Sequence, residues 1–357
     1  MLVKIAAGDE MRPGTGSAES TRMQLEAGEA GAAVARFLAA NGATLERIGA
    51  RLRQSAPEVV VTCARGSSDH AATYAKYLFE TLAGVVTASA APSVSSLFNA
   101  LPRHGSRLCL AISQSGQSPD LLSTVADQRD AGAYVVALVN QPGSPLADLA
   151  DEVLELCAGP ELSVAATKSY IVSLAAIAAL TAAWTRDADL KSAIAALPAQ
   201  LASAAEADWS PAIPMLADAG SAFVIGRGYT LGIAQEAALK LKETCGLHAE
   251  SFSSAEVKHG PMAIVTKGFP LIAFAGSDEA GDDVRATAAM FSERGAMVAI
   301  ADAGGGGKAA LPVSASHPVV EPILMIQTFY LYANALALAR GRNPDSPPFL
   351  HKVTETR

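Results

Sequence analysis

Apolar residues fall in short blocks along this chain, separated by stretches of helical period. Val59-Val60-Val61, Leu108 to Ile112 and Ala222 to Ile225 are such blocks. Each runs into a turn rich in Gly or Ser, which predicts strands of a parallel sheet buried on both faces. Residues 21–53 carry a helical pattern ahead of the first strand. Tyr170 to Trp184 is the most apolar run. It is Ala-rich and too short to span a bilayer, so it predicts a buried helix. Strand-like and helix-like segments alternate through the rest of the chain, the pattern of an α/β fold. Residues 1–20 are small and polar and predict a loose tail.

The pattern repeats. Gly66 and Gly228, Ser115 and Ser277, and Gly132 and Gly295 recur at an offset of 162 or 163 residues, each beside a predicted strand. The repeat predicts two similar doubly wound, flavodoxin-like parallel-sheet domains in tandem, over 45–195 and 205–340. Residues 1–44 form a tail and helix before them, and 341–357 a tail after them.

Composition narrows the chemistry. The 357 residues carry a net charge of −8. No global positive field exists for nucleic acid or anionic membrane, so neither is expected as a partner. The four cysteines, Cys63, Cys109, Cys157 and Cys245, are spread widely. They read as free thiols of a reducing compartment, and a cytoplasmic location is expected. No metal-ligand motif is present, and no cofactor is expected.

The most informative stretch is Ser113-Gln114-Ser115-Gly116-Gln117-Ser118-Pro119. It joins a predicted strand to a predicted helix, with Ser118 suited to the N-cap and Pro119 to the first turn. Backbone N–H groups and the helix dipole point into such a loop, which suits a phosphate dianion. No Lys follows the Gly, so hydroxyls rather than a nucleotide-type loop would hold it. The loop alone fits an ordinary serine-rich turn equally well. Gly66-Ser67-Ser68-Asp69 ends another strand in the same half, with simple N-capping by Ser68 or Asp69 as the plainer reading. The later half's counterpart, Gly276 to Asp283, carries four carboxylates that would repel phosphate. The anion site is therefore expected in the leading half only.

The later half offers acid and base groups. On a helix Glu236, Lys240 and Glu243 share one stripe, beside an apolar face of Ala234, Ala237, Ala238 and Leu241. Taken alone, that stripe reads as a solvated face. His259 precedes Gly260-Pro261 and so belongs to a loop, and His248 is a weaker candidate. Asn343 to Thr354 is broken by prolines, with Phe349, Leu350 and Val353 as apolar anchors that would deliver Lys352 to the body.

Taken in order, Ser113-Gln-Ser-Gly, Val164-Ala-Ala-Thr-Lys168, Ala238-Leu-Lys-Leu-Lys-Glu243, His248-Ala-Glu, Glu256-Val-Lys-His-Gly-Pro261 and Leu350-His-Lys-Val-Thr354 resemble the sugar isomerase (SIS) family. The similarity is to the isomerase half of glucosamine-6-phosphate synthase and to stand-alone glucosamine-6-phosphate deaminases, and it covers nearly all of residues 21–357. The resemblance implies that Ser67, Ser68, Ser113, Gln114, Ser115 and Ser118 bind the sugar phosphate. Val164 and Ala166 would face the substrate. The synthase pattern has Ser where this chain has Ala166. By the same resemblance Glu243 moves a proton between C1 and C2, Lys240 is its electrostatic helper, and Lys352 is a Schiff-base amine. His259 opens the sugar ring from the neighbouring subunit, which implies a homodimer with shared active sites.

The glutaminase of the whole synthase has a catalytic Cys directly after the initiator Met, whereas here Leu2 follows Met1 and the first Cys is Cys63. Glutamine hydrolysis is therefore not expected. The expected reaction is isomerising deamination of glucosamine 6-phosphate to fructose 6-phosphate and ammonia. Ammonia-dependent synthesis, a related amino-sugar phosphate and a non-catalytic sugar-phosphate sensor are the alternatives.

Overall fold

The computed structural model describes residues 20–305 and 310–352. The tail expected over residues 1–19, Val353 and Thr354 of the C-terminal motif, and part of the Gly304–Gly307 run lie outside the described residues. Helices α1 (Arg22–Gly28) and α2 (Ala30–Gln54) open the fold. The leading lobe follows as β1 (Val59–Cys63), α3 (Ser67–Leu78), β2 (Thr87–Ser89), α4 (Pro92–Ser96), β3 (Arg107–Ser113), α5 (Pro119–Asp130), β4 (Tyr134–Val139), α6 (Pro145–Leu149) and β5 (Glu152–Glu155). Helices α7 (Lys168–Thr185), α8 (Ala188–Ala204) and α9 (Ile213–Ala217) lead to the trailing lobe. That lobe runs β6 (Ser221–Gly226), α10 (Leu231–Cys245), β7 (His248–Ser253), β8 (Pro270–Ala275), α11 (Glu279–Glu293), β9 (Met297–Asp302), β10 (Ala310–Leu311) and α12 (Glu321–Ala339).

Both sheets are parallel, in the orders β2-β1-β3-β4-β5 and β10-β9-β8-β6-β7. Renumbered within its lobe, each reads 2-1-3-4-5, the flavodoxin-like order. The repeat seen in the sequence is thus a repeat of topology. Its glycines match in conformation too: φ is +57° at Gly66 and +59° at Gly228, +87° at Gly132 and +86° at Gly295. The central strands are buried because helices cover both faces; every residue of β8 is buried.

The apolar run Tyr170–Trp184 is α7, whose residues are buried all round. With α12 it is one of two helices among the described residues long and apolar enough to cross a membrane, yet 94% and 78% of their apolar windows lie inside the fold. They are core helices here. Residues 44 and 45 fall inside α2, which packs along α7 and α8, while α1 packs chiefly on α12.

The lobes meet where α3 crosses α10. Gly232 permits the crossing: a Cβ there would lie 2.6 Å from the His70 carbonyl oxygen and 3.2 Å from the Tyr74 nitrogen. Tyr170 donates its hydroxyl to the Gly232 carbonyl (3.2 Å) and Tyr74 to that of Val319 (2.7 Å), so buried phenols stitch the seam. Gly232→Ala is expected to destabilise the protein by about 1–3 kcal/mol. Gly42→Ala, in α2 with nothing within 4 Å of the added carbon, should stabilise it by about 0.5–1 kcal/mol. Urea unfolding of the two variants checks both signs.

Candidate active site

In a 2-1-3-4-5 sheet the strand order reverses between the first and third strands, and the crevice opens beyond their carboxyl ends. In the leading lobe those are β1 and β3. The Arg65–Ser68 turn leaves β1 and the Ser113–Ser118 loop leaves β3. They line one pocket of about 340 Å³, together with Ile112, Leu121, Val164, Ala166 and Lys352. All the residues expected to bind substrate, Ser67, Ser68, Ser113, Gln114, Ser115, Ser118, Val164 and Ala166, therefore share a single cavity.

Local chemistry shapes both turns. Ser118 is the N-cap of α5 and Pro119 its first residue, as predicted, but the Ser118 hydroxyl makes no capping bond and stays available to the pocket. The Ser113 hydroxyl accepts the Gly116 N–H (3.1 Å) and closes the loop. Gly116 has φ +63°, and a Cβ would meet Ser144 and Leu146, so this turn requires glycine. At the other turn the N-cap is Gly66, which places Ser67, Ser68 and Asp69 inside the first turn of α3. The plainer reading of Ser68 or Asp69 as N-cap is thus corrected.

The third wall is the 161–168 loop with the C-terminal tail. Glu161 is buried and accepts the N–H groups of Thr167 (3.0 Å) and Ser169 (3.1 Å) and the Ser169 hydroxyl (2.7 Å). Lys352 Nζ donates to Glu161 Oε2 (3.2 Å) and to the Ser163 carbonyl (2.7 Å). Burial pushes the Glu161 pKa up, but Lys352, Ser169 and Thr167 together hold it below the ordinary value. From outside, Glu26 accepts the Ser163 N–H (3.1 Å), and Glu29 pairs with buried Lys168 (2.5 Å).

The tail docks differently from expectation. Phe349 is 99% and Leu350 42% exposed, so neither anchors it, and Val353 is outside the described residues. The anchors are polar: Asp345 accepts the N–H groups of Arg22 (2.9 Å) and Met23 (2.8 Å), and Lys352 binds Glu161. A carboxylate at the open end of α1 and a buried counter-charge outweigh what two apolar side chains gain on a convex surface.

The stripe on α10 is not a solvated face. Glu236 is fully buried at the seam between the lobes. Its Oε1 accepts from Ser67 (3.1 Å) and Tyr330 (3.0 Å), and its Oε2 pairs with His70 Nδ1 (2.9 Å). Lys240 Nζ lies 3.4 Å from Glu236 Oε1 and 2.5 Å from Glu243 Oε2. Burial raises the Glu236 pKa, yet Lys240, His70 and Ser67 hold it below the ordinary carboxylate value. Lys240 loses charge preference by burial and regains more from Glu236 and Glu243, so its pKa is raised. A continuous polar path therefore runs from Ser67 in the pocket wall to Glu243. Glu243, Lys240 and His259 themselves do not line the pocket. His259 is exposed and ends a short 3₁₀ turn, Glu256–His259. His248 is exposed at the start of β7.

At the matching place in the trailing lobe the loop is already occupied. Glu321 accepts the Ser277 N–H (2.8 Å) and Asp278 the Gly281 N–H (2.9 Å). The protein's own carboxylates take the donors that a ligand anion would need.

Sequence reasoning missed Arg65, His70, Glu161 and Asp120. Arg65 directly precedes the Gly66-Ser67-Ser68 turn, and Glu161 lies three residues ahead of Val164, so both had a positional signal. His70 had none until α10 was packed on α3.

Fold and pocket define a class: a tandem doubly wound α/β protein with a hydroxyl-lined cavity at the switch point of its leading sheet. The chain belongs to the SIS domain family, whose model matches residues 55–183 and 215–308. The glutamine–fructose-6-phosphate aminotransferase (isomerizing) of Aeropyrum pernix is 33% identical over 308 residues, 81% of this chain and 49% of that protein. The chain spans about half the length of the curated relatives it matches. A Silicibacter pomeroyi DSS-3 protein, described as a phosphosugar isomerase, superposes with a TM-score of 0.87 at 42% identity, over 91% of this chain and 100% of that one. The glucosamine-6-phosphate deaminase of Thermotoga maritima shares the fold, with a TM-score of 0.72 at 23% identity over 94% and 100% of the two chains.

A carboxylate whose pKa is lowered by folding stabilises the fold above its unfolded value of 4.5 and loses that contribution as pH falls through the lower folded value. Glu236→Gln is therefore expected to cost on the order of 3 kcal/mol at pH 7. The gap to wild type should narrow as the pH falls below 4.5. Urea midpoints measured across that window check it; a gap independent of pH would rule out ion pairing as the source.

Proposed function

We propose that the chain interconverts glucosamine 6-phosphate and fructose 6-phosphate with free ammonia, running toward ammonia release. The observation that carries this reading is the pairing of a hydroxyl-lined switch-point pocket with a buried polar path to Glu243. A loop of hydroxyls and backbone N–H groups at the start of α5 suits a phosphate ester. The Glu243 carboxylate, which lies beyond the pocket lining at the end of that path, then suits transfer of one proton from C2 to C1 of an open-chain sugar that extends past Ser67 toward it, which leaves an imine at C2. Lys240 beside it favours the oxyanion that develops during transfer. Lys352, held at the pocket wall, suits exchange with ammonia to form a Schiff base, and water then cleaves that bond to the ketose.

The release direction draws support from a neighbour of the same fold, the Thermotoga maritima glucosamine-6-phosphate deaminase. The synthetic direction draws support from the curated aminotransferase relatives and would use the same residues in reverse. An exposed His259 outside its own subunit's pocket suits a site shared across a homodimer, with the imidazole opening the ring next door.

A coupled assay on glucosamine 6-phosphate, reading ammonia and fructose 6-phosphate together, tests the reaction. Isomerisation without ammonia, or turnover of a different amino sugar alone, would refute it. Glu243→Gln should lower turnover by about 10²–10⁴-fold while still binding the sugar phosphate. The shared site is checked by mixing subunits. Glu243→Gln and His259→Ala protomers, each inactive, should regain activity together once they exchange, because one of the mixed sites has both groups intact. No recovery in a verified heterodimer would place His259 elsewhere.

A further inference from the structure

We infer that Arg65 is a specificity-determining anion ligand of the pocket, and that Asp120 is the positioning residue that aims it. The inference rests on the reading of this pocket as a sugar-phosphate site and names a ligand beyond the serines. Arg65 stands between β1 and α3, at the switch point itself. Its Nε (3.0 Å) and Nη2 (2.6 Å) both donate to Asp120 Oδ2. Asp120 is 1% exposed, sits in the first turn of α5, and accepts the Leu121 N–H (2.8 Å) with its other oxygen. The guanidinium is thus fixed along one edge. Its Nη1 makes no hydrogen bond among the described residues, and 51% of the side chain is exposed.

Charge accounting points the same way. Among the described residues lining the cavity, Arg65 and Lys352 are the cations and none is acidic. Lys352 is already committed to Glu161 and the Ser163 carbonyl. Arg65 keeps three of its five N–H groups, against one of three on Lys352. Without it, the buried Asp120 carboxylate would stand unpaired beside the phosphate loop and repel a dianion.

The internal repeat supplies a control built into the molecule. Arg227, 162 residues on, occupies the same turn after β6 and donates to Asp283 (2.7 Å). There Asp283 is also shared by Ser254 and by Lys258 (3.4 Å), and Glu321 takes the loop N–H. In the trailing lobe the carboxylate of the pair is shared with further side-chain donors, whereas in the leading lobe Asp120 serves the arginine alone among side chains and the pair faces a cavity.

The test uses inorganic phosphate as a probe, so it does not depend on turnover. Phosphate should raise the thermal midpoint of the wild-type protein, and Arg65→Ala should need about 10–100-fold more phosphate for the same rise. The preference in kcat/KM for glucosamine 6-phosphate over unphosphorylated glucosamine should shrink by a similar factor. A purely structural arginine would lower the midpoint without moving either readout, and superimposable phosphate titrations overturn the proposal. Should Arg65→Ala fold poorly because Asp120 is stranded, Arg65→Ala combined with Asp120→Asn removes both charges and should still lack the phosphate response. Asp120→Asn alone keeps the cation but loosens its aim, and should fall between. Phosphate protection that needs Arg65 in a protein releasing no ammonia would sink the proposed reaction and leave this assignment standing.

Discussion

The arrangement depends on one buried carboxylate. Glu236 sits on a helix of the trailing lobe, yet two of its partners, Ser67 and His70, belong to the first two turns of a helix in the leading lobe. A carboxylate removed from water is tolerated only when its lone pairs are filled and a cation is near. Here Ser67, His70, Tyr330 and Lys240 meet that need, and they do so only if the lobes dock in one orientation. Apolar packing around Gly232 makes the seam stick. The ion network makes it unique, because a shift of a few ångströms would strand the charge.

That same network links structure to chemistry. Ser67 serves the pocket wall and the carboxylate at once, so the position of the leading helix is tied to the position of Lys240 and, through it, Glu243. A second brace acts on the opposite wall. Glu161 collects the Thr167 and Ser169 N–H groups and Lys352, while Glu26, Glu29 and Asp345 tie the amino-terminal helices to that loop and to the tail. Buried or half-buried carboxylates thus do what a metal or disulfide does elsewhere. They fix loops rich in Gly, Ser and Ala whose apolar side chains are too small to hold them by packing.

Much of the fold was legible because apolar period and turn residues are local signals. The blocks at Val59, Leu108 and Ala222 became strands, and the glycine offset became a repeat of topology. The pocket's serines were legible for the same reason: each follows a strand directly. Three things were not. Glu236 looked solvated, since a stripe of Glu and Lys carries no mark of the helix that will cover it. The tail looked apolar in its anchoring, since Phe349 and Leu350 are visible in a sequence and the open end of α1 is not. His70 gained meaning only when a contact between positions far apart in the chain existed, and Arg65, although it stands beside the serine turn, showed its aim only once Asp120 was placed against it.

The two lobes also separate what a fold decides from what a site decides. Both have the 2-1-3-4-5 order, both have an Arg after the first strand and a loop opening onto a helix after the third, and physics makes both switch points potential anion sites. In the leading lobe the loop is short-chained and neutral, Ser113 to Ser118, and a cavity remains. In the trailing lobe Asp278 and Glu321 fill the loop's donors, and Asp283 takes Ser254 and Lys258 as well as the arginine, so the place that could bind a ligand instead binds the protein. Asp283 in turn holds Lys258, the residue next to His259. The carboxylate at the trailing lobe's switch point thus also reaches the 3₁₀ turn Glu256–His259, whereas the leading lobe keeps a cavity at the matching place.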